Sequence, residues 1–295
     1  VAEGIEYESE VKINNNFISN HTGGSTPVII PLTDGILSTG NEILVNVNNR
    51  LDYRNTIPLA DQINYSGVYG GINKDIYIIA VPKLFILKNI VKYTVDNLLT
   101  VKLKNTVDIK SSNLFKYIDT SKSKDFYLQT KVLKKSDTSV SVSGGQINFS
   151  IGDNNSVKIS NEISVPNPVI WTPETPELYI VRTIISGPDG KVIDELNSET
   201  GFTNLSVKNN QIFQSGKQFR LNGINYYEDQ PKFASALDFT LTENDLKNIK
   251  TLGFNAIRVP GKSSHPYIVN LCNRLGLYLL QEIPFNELSD HYLDD

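Results

Sequence analysis

Short runs of alternating apolar and polar residues recur from residue 1 to about residue 210. Clusters of Gly, Asn, Asp and Ser separate these runs, and the stretch Ser186–Val192 contains the Pro-Asp-Gly of a tight turn. Short strands at this spacing favour β-sandwiches over helical folds. The predicted strands are Tyr7–Ile13, Asn41–Val47, Lys74–Val81, Asn97–Asn105, Phe126–Leu133, Gly145–Ile151 and Glu177–Ile185.

The pattern becomes helical after residue 210. In Phe239–Phe254, apolar residues recur at the spacing of one helix face, and acidic residues precede them. We predict a helix that is capped by Thr242 and ends at Gly253. Its predicted apolar face consists of Leu246, Ile249 and Leu252.

A second helix and two short strands continue this part of the chain. We predict a buried strand at Phe254–Val259 and another at Leu277–Pro284. Between them, His265–Gly276 predicts a helix with Pro266 near its start and Gly276 just past its end. Strands that alternate with helices are typical of a parallel sheet. The chain therefore changes from β-sandwiches to the opening of an α/β domain.

Length limits the size of this α/β domain. A chain of 295 residues favours about two domains and allows three. A (β/α)₈ barrel needs about 250 residues, whereas only about 80 follow residue 210. The α/β part is therefore either small or cut short.

Charge and composition argue against several functions. Net charge is -4 and no Lys/Arg stripe is present, so we expect no nucleic-acid partner. No apolar run approaches the ~18 residues that span a bilayer, and no signal peptide is recognisable, so we expect no membrane partner. We expect the single cysteine, Cys272, to be a small core residue. The three His residues lack metal-ligand spacing, so we expect no metal and no cofactor.

Seven spaced motifs follow one another along the chain. They are VKINNNFISNHTGGSTP (Val11–Pro27), LSTGNEILVNVNN (Leu37–Asn49), NYSGVYGGINKDIYI (Asn64–Ile78), WTPETPELY (Trp171–Tyr179), GKQFRLNGINYYED (Gly216–Asp229), LKNIKTLGFNAIRV (Leu246–Val259) and LCNRLGLYLLQEIP (Leu271–Pro284). In this order they resemble glycoside hydrolase family 2, the family of β-galactosidases, β-glucuronidases and β-mannosidases. The resemblance covers almost the whole chain.

The resemblance implies a multidomain fold, β followed by α/β. Residues 1–84 would form part of a jelly-roll β-sandwich of the sugar-binding type, and residues 85–208 an immunoglobulin-like β-sandwich. Residues 209–295 would hold the first strands and helices of a (β/α)₈ TIM barrel. In this family the jelly-roll starts earlier and the barrel continues, so we expect these residues to be a fragment.

The resemblance also implies a retaining exo-β-glycosidase that hydrolyses O-glycosyl bonds in carbohydrate metabolism. The family's general acid/base is a Glu after the fourth barrel strand and its nucleophile a Glu after the seventh. Both positions fall beyond Asp295. Asn286-Glu287 looks like the Asn-Glu of the acid/base, but it follows the third strand, so we interpret it as a loop. We therefore expect no catalytic residue here, and no activity from these residues alone.

Four residues at strand ends are expected, from the resemblance, to bind substrate. Arg258 ends the second strand, and in relatives an Arg at this place holds carboxylates at the floor of the sugar pocket. The alternative is that Arg258 forms a structural ion pair. A further strand, the first of three in the barrel, is implied before Tyr227. Tyr227, Glu228 and Asp229 lie at its end and are expected to form the pocket rim. The alternative is that the two acidic residues only cap and orient the loop. A Tyr at this position can stack on a sugar face.

A fifth candidate, Asp61, depends on the register of the alignment. It matches a pocket Asp of relatives if Asn64-Tyr65 sets the register. If Gly70-Gly71 sets it, Asp61 falls outside the pocket.

The chain departs from the family where specificity is set. Many members carry Ser-His-Tyr-Pro after the pocket Arg, but without gaps Gly261 replaces the sugar-contacting His. Alternatively, Ser264–Tyr267 is that run displaced by an insertion. Tyr227 stands where many relatives have His. The Mg²⁺ ligands of some galactosidases are also not matched, because Asn286 and Leu288 occupy those positions. The identity of the sugar therefore stays open.

Three further residues are interpreted as structural. We expect His265 to open a helix, Trp171 to lie in the core between domains, and Glu282 to be a buried structural carboxylate.

The expected partner is a carbohydrate, either a β-glycoside or an oligosaccharide, and a homo-oligomer is compatible with the sequence. The compartment stays unknown, although such enzymes are often periplasmic or secreted. The alternative function is a non-catalytic carbohydrate-binding or scaffold protein with a degenerate barrel.

Overall fold

The structure is a computed structural model. It describes residues 1–24, 26–32, 39–51, 69–96, 100–112, 126–151 and 155–283. The chain forms two compact units. One combines Val1–Ile79 with Asn222–Asp295, and the other consists of Ala80–Leu221.

The N-terminal part of the first unit contains five short strands in its described residues. They are β1 (Ile5–Glu6), β2 (Glu8–Ile13), β3 (Asn16–Thr22), β4 (Ile43–Asn48) and β5 (Gly71–Ile72). β2 lies between β3 and β4 in an antiparallel sheet, and β1 pairs with β5. Asn14 and Asn15 join β2 to β3 with positive φ angles of 49° and 65°, the backbone of a tight hairpin turn.

The described residues of the second unit form ten antiparallel strands. They are β6 (Leu84–Asp96), β7 (Thr100–Ser111), β8 (Phe126–Lys134), β9 (Asp137–Phe149), β10 (Ser156–Pro166), β11 (Tyr179–Ser186), β12 (Val192–Thr200), β13 (Leu205–Lys208), β14 (Gln211–Gln214) and β15 (Lys217–Phe219). They form three sheets, with the orders β10-β7-β6, β12-β11-β8-β9 and β13-β14-β15. The first two sheets pack face to face as a sandwich, because both contribute to the same buried clusters.

Two apolar clusters fill the sandwich. The first contains Leu84, Val107, Ile109, Phe126, Leu128, Phe149, Ile159 and Ile185. The second contains Val101, Leu103, Val132, Ile163, Val165, Tyr179, Val181 and Phe202. Burying one large apolar side chain contributes roughly 1.5–3 kcal/mol, so these clusters supply the main stabilisation of the unit.

A polar belt of Asn105, Asn161, Thr130 and Thr183 lies between the two clusters. Asn105 pairs in register with Asn161 on one sheet, and Thr183 pairs with Thr130 on the other. The Asn105 Nδ2 donates to Thr130 Oγ1 at 3.2 Å and to Thr183 Oγ1 at 2.9 Å. Buried polar groups are costly without such bonds, so the belt favours one placement of the two sheets.

The parallel part of the first unit alternates strands and helices. Its elements are β16 (Gly223–Asn225), α1 (Phe239–Thr251), β17 (Ala256–Val259), α2 (Pro266–Leu275) and β18 (Tyr278–Gln281). The strands pair in parallel in the order β16-β17-β18, as the sequence predicts. Their core includes Leu246, Ile257, Ile268 and Leu271, all fully buried. Within the described ranges, no helix has the length and apolar character of a membrane span.

The ends of the two helices test the predicted capping signals. α2 agrees with them, because Pro266 occupies the first turn and Gly276 closes the helix with φ of 73°. The predicted Thr242 cap of α1 is wrong. Asp238 is the N-cap and accepts the Leu241 N–H at 2.9 Å, so the helix begins earlier. Thr242 is instead buried inside the helix and accepts from Gln230 Nε2 at 2.8 Å.

Six of the seven predicted strands overlap strands of the structure. The exception is Lys74–Val81. There the described backbone forms only an isolated bridge between Ile76 and Ala2, and Ile78 and Ile79 are exposed. An apolar, β-branched composition predicted a strand, but this segment lacks the continuous pairing that defines one. The predicted turn after β11 is confirmed, since the Gly190 N–H donates to Gly187 O at 2.9 Å.

Trp171, the single tryptophan, packs against Gly201 near the start of the β13-β14-β15 sheet. The backbone N–H of Trp171 donates to Phe202 O at 2.7 Å, and its backbone carbonyl accepts from Gln214 Nε2 at 3.1 Å. It is 5% exposed, which confirms a core position. A Cβ added at Gly201 would lie 2.7 Å from Trp171 Cδ1, too close for ordinary contact.

We predict that Gly201→Ala lowers the free energy of unfolding by about 1–3 kcal/mol, because overpacking must displace the indole. Urea denaturation measures the loss, and the fluorescence of Trp171 should shift to the red in the folded variant. Gly187→Ala is the control, since the nearest atom to its Cβ would be the end of the Asp189 side chain at 3.0 Å, with Ile193 Cδ1 in ordinary contact at 3.7 Å. Equal effects of both substitutions would contradict the proposed contact.

Candidate active site

Polar side chains meet where the three parallel strands end. Asn225 and Arg258 are register partners at the ends of β16 and β17, and Glu282 directly follows β18. The carboxyl ends of parallel strands are where α/β domains place their active sites. These three residues are called the strand-end cluster below.

The guanidinium of Arg258 joins the members of this cluster. One arm donates to Asn225 Oδ1 at 3.2 Å, and the other forms an ion pair with Glu282 Oε1. The second oxygen of Glu282 accepts the Gly261 N–H at 2.7 Å. The Gly261 N–H and the Arg258 charge hold the pKa of Glu282 below its usual range. Its side chain is 35% exposed, so the expectation of a buried carboxylate is wrong.

The three candidate residues in the segment after β16, which begins with Tyr226, differ in their surroundings. Tyr227 is exposed, with half of its surface accessible. Glu228 is buried, at 3% exposure, and accepts the His265 N–H at 2.9 Å. Asp229 is exposed and accepts from the Tyr69 hydroxyl at 3.1 Å. Thus Glu228 makes a loop-orienting contact of the kind given as the alternative, whereas Tyr227 and Asp229 are exposed.

A shallow cleft of about 590 Å³ opens beside Asp229. It is lined by Tyr69, Asp229, Gln230, Pro231, Lys232 and Ala234. Asp61 and the Asn286-Glu287 pair lie outside the described residues.

Two half-buried lysines lie at the loop that follows β17, and Lys262 is part of that loop. Lys74 Nζ donates to Ser263 O at 2.9 Å, and Lys262 Nζ lies 3.7 Å from Glu228 Oε2. Burial lowers the pKa of Lys74, while the nearby Glu228 charge opposes this shift. Burial also raises the pKa of Glu6, which faces both lysines. Sequence reasoning missed these lysines and Glu6, because no local motif shows which carboxylates they meet.

His265 caps α2, as expected, and is itself buried. Its Nδ1 accepts the Tyr267 N–H at 3.1 Å, so Nδ1 is the unprotonated nitrogen. The other nitrogen, Nε2, lies 3.7 Å from Asp75 Oδ2. Burial lowers the pKa of His265, and the Asp75 charge partly offsets this. Protonation of Nδ1 would remove the cap.

Two other groups are poor candidates for chemistry. Cys272 is buried in the parallel core, and burial raises the pKa of its thiol to about 12, far from a reactive thiolate. Burial similarly raises the pKa of Tyr226 to about 12. Among the residues that the structure describes, no three His, Cys, Asp or Glu side chains are arranged to hold a metal ion.

The fold and the cluster define a β-rich protein whose parallel sheet carries polar groups at its strand ends. Two family models match this chain: "Glycosyl hydrolases family 2" over residues 91–202 and "Glycosyl hydrolases family 2, TIM barrel domain" over residues 205–291. Together they match more than half of the chain. The chain belongs to glycoside hydrolase family 2.

Individual proteins show the same similarity. The chain is 27% identical over 286 residues to a protein of Formosa agariphila named "Putative beta-glucuronidase", covering 96% of this chain. It spans only 32% of that relative's length. It is 29% identical over 141 residues to β-galactosidase 2 of Enterobacter cloacae, covering 45% of this chain and 14% of that protein.

A solved structure extends the similarity to the fold. The β-glucuronidase of Bacteroides uniformis superposes with a TM-score of 0.83 at 22% identity, covering 99% of this chain and 35% of that one. At this identity the superposition shows a shared fold alone.

We predict that the first unit of the wild type loses stability as the pH falls from about 7 to about 5.5. The reason is that His265 has a lowered folded pKa, so the unfolded chain binds its proton first and protonation favours unfolding. His265→Asn should show less of this loss, because Asn can also cap a helix but does not titrate.

Urea denaturation followed by far-ultraviolet ellipticity measures this effect, since both helices of the described chain belong to the first unit. Comparing the two proteins cancels the opposite contribution of Glu6, whose raised pKa favours folding at lower pH. Identical pH profiles would show that His265 does not carry the effect.

Proposed function

We propose that the protein containing these residues is a retaining exo-β-glycosidase acting on O-glycosyl bonds of carbohydrates. The observation that carries this proposal is the strand-end cluster, in a chain that belongs to glycoside hydrolase family 2. The names of the relatives, β-glucuronidase and β-galactosidase, support a β-glycoside as substrate.

Residues on the strand ends would form one side of the sugar pocket. Arg258 presents a planar fork of donors, which suits carboxylates and sugar oxygens. Tyr227 has an exposed aromatic face that can pack on a pyranose ring. Asp229 is exposed beside the cleft and could accept hydroxyl hydrogen bonds. Asp61 stays a candidate for the same pocket.

The chemistry would be a double displacement. Two carboxyl groups about 5–5.5 Å apart exchange the roles of acid, nucleophile and base across the scissile bond. Glu282 is unsuited to either role, because both of its oxygens are engaged and its lowered pKa disfavours proton donation. The catalytic pair would therefore come from strands after Asp295.

We also propose the domain composition that the family implies. Residues 1–84 would be part of a jelly-roll, residues 85–208 an immunoglobulin-like sandwich, and residues 209–295 the first part of a TIM barrel. The face-to-face sheets of β6–β12 and the parallel order β16-β17-β18 support the last two assignments.

We predict no turnover of p-nitrophenyl β-D-glucuronide or β-D-galactoside by these 295 residues alone, because the proposed carboxylate pair would come from strands after Asp295. A chain that continues past Asp295 through a complete barrel should hydrolyse at least one of these substrates. In that chain Arg258→Met should lower kcat/KM on the order of 100-fold.

Arg182→Met is the matched control, because Arg182 also pairs with a carboxylate, Glu195, but belongs to the second unit. Turnover by the 295 residues would contradict the placement of the catalytic pair. Sugar binding without turnover by the complete barrel would instead favour the carbohydrate-binding alternative.

A further inference from the structure

Lys74 contacts the loop between β17 and α2 from outside the parallel sheet. It follows β5 in the N-terminal part of the first unit, 189 residues before Ser263, whose carbonyl accepts from its ammonium at 2.9 Å. The side chain is half-buried, so this hydrogen bond to a charged donor is shielded from water. We define residues 261–265 as the β17–α2 loop.

Residues at the end of β18 also hold this loop. Gly261 donates its N–H to Glu282 Oε2 at 2.7 Å, and the Ser263 hydroxyl accepts from Gln281 Nε2 at 3.1 Å. Glu282 is also the ion-pair partner of Arg258. A shift of the loop would therefore change the hydrogen bonding of the carboxylate that orients Arg258.

Two positive and two negative side chains lie around the β17–α2 loop. Lys74 and Lys262 face the buried carboxylates of Glu6 and Glu228. Glu228 in turn accepts the N–H of His265, the last residue of the loop. Without Lys74, two buried carboxylates would share one ammonium, and the Ser263 carbonyl would lose its charged donor.

We propose that Lys74 is a positioning residue that holds the β17–α2 loop and, through Gly261 and Glu282, fixes the side chain of Arg258. The functional meaning of this role rests on the proposed function, because Lys74 would then help to support the sugar pocket. The chain of contacts itself can be tested without any sugar.

The packing around Lys74 offers a second way to disturb it. A Cβ at Gly4 would lie 3.0 Å from Lys74 Cδ and 2.7 Å from Asn73 Oδ1. Gly4→Ala would therefore displace the lysine stem while leaving every charge in place.

Hydrogen exchange measured by mass spectrometry tests the first step. In Lys74→Met, the amides of the β17–α2 loop should exchange about 10-fold faster or more, the effect of losing one hydrogen bond to a charged donor. The amides of α1 should keep their rates. Gly4→Ala should reproduce the local change more weakly, and Lys74→Arg should largely restore protection because it keeps a cationic donor.

Nuclear magnetic resonance of the Arg258 side chain tests the second step. Its Nη–H signals, assigned by their loss in Arg258→Lys, report the ion pair with Glu282. They should shift or broaden in Lys74→Met. Lys158→Met, which removes an exposed lysine of the second unit, should leave these signals and the loop exchange unchanged.

Two results would overturn the proposal. Faster exchange throughout α1 as well as the loop would mean that Lys74 only stabilises the whole unit. Unchanged Arg258 signals despite a loosened loop would mean that the loop does not position Arg258. Failure of the glycosidase proposal would appear separately, as absent turnover by a complete barrel whose Arg258 signals still respond to Lys74.

Discussion

The guanidinium of Arg258 connects the ends of three parallel strands. It contacts Asn225 at the end of β16 and Glu282 after β18, while Arg258 itself is the penultimate residue of β17. At the strand ends of a parallel sheet, backbone N–H and C=O groups no longer find partners on the neighbouring strand. Side chains and loops must therefore supply their hydrogen bonds. Because Arg258 is partly exposed, this ion pair contributes little to stability and acts mainly through geometry.

The charges around Glu228 carry a different energetic cost. Buried carboxylates and ammonium groups are expensive to remove from water, and their attraction offsets this only when each is well partnered. Glu228 meets this condition through the His265 N–H and Lys262, and Lys74 through Ser263. All of these groups belong to the first unit, which joins the N-terminal strands to the parallel sheet.

Local patterns predicted the elements of this chain better than its contacts. Pro266 and Gly276 bound α2 because their backbone preferences act locally. The prediction of Thr242 as the cap was wrong because the Asp238 carboxylate, a stronger acceptor, caps the helix four residues earlier. Thr242 is buried inside the helix and accepts a hydrogen bond from Gln230. The segment Lys74–Val81 has the composition of a strand, but pairing partners decide strands, and a sequence does not show them.

The residues of the candidate site also differ in how far the sequence alone could identify them. Arg258 and Glu228 could be proposed from the sequence, because they lie in motifs that resemble glycoside hydrolase family 2. Tyr69 and Lys74 could not, because each acts on a residue more than 150 positions away. Contacts between distant segments depend on the tertiary fold, which no local periodicity encodes.

The polar belt across the sandwich makes the two halves of its core independent. Asn105 and its threonine partners occupy the level at which the apolar clusters would otherwise merge. A void opened beside Leu128 in one cluster cannot be refilled by side chains such as Val181 of the other. Losses of stability in the two clusters should therefore sum, as they do for sites without shared neighbours, and the sandwich can change its packing at one end while conserving it at the other.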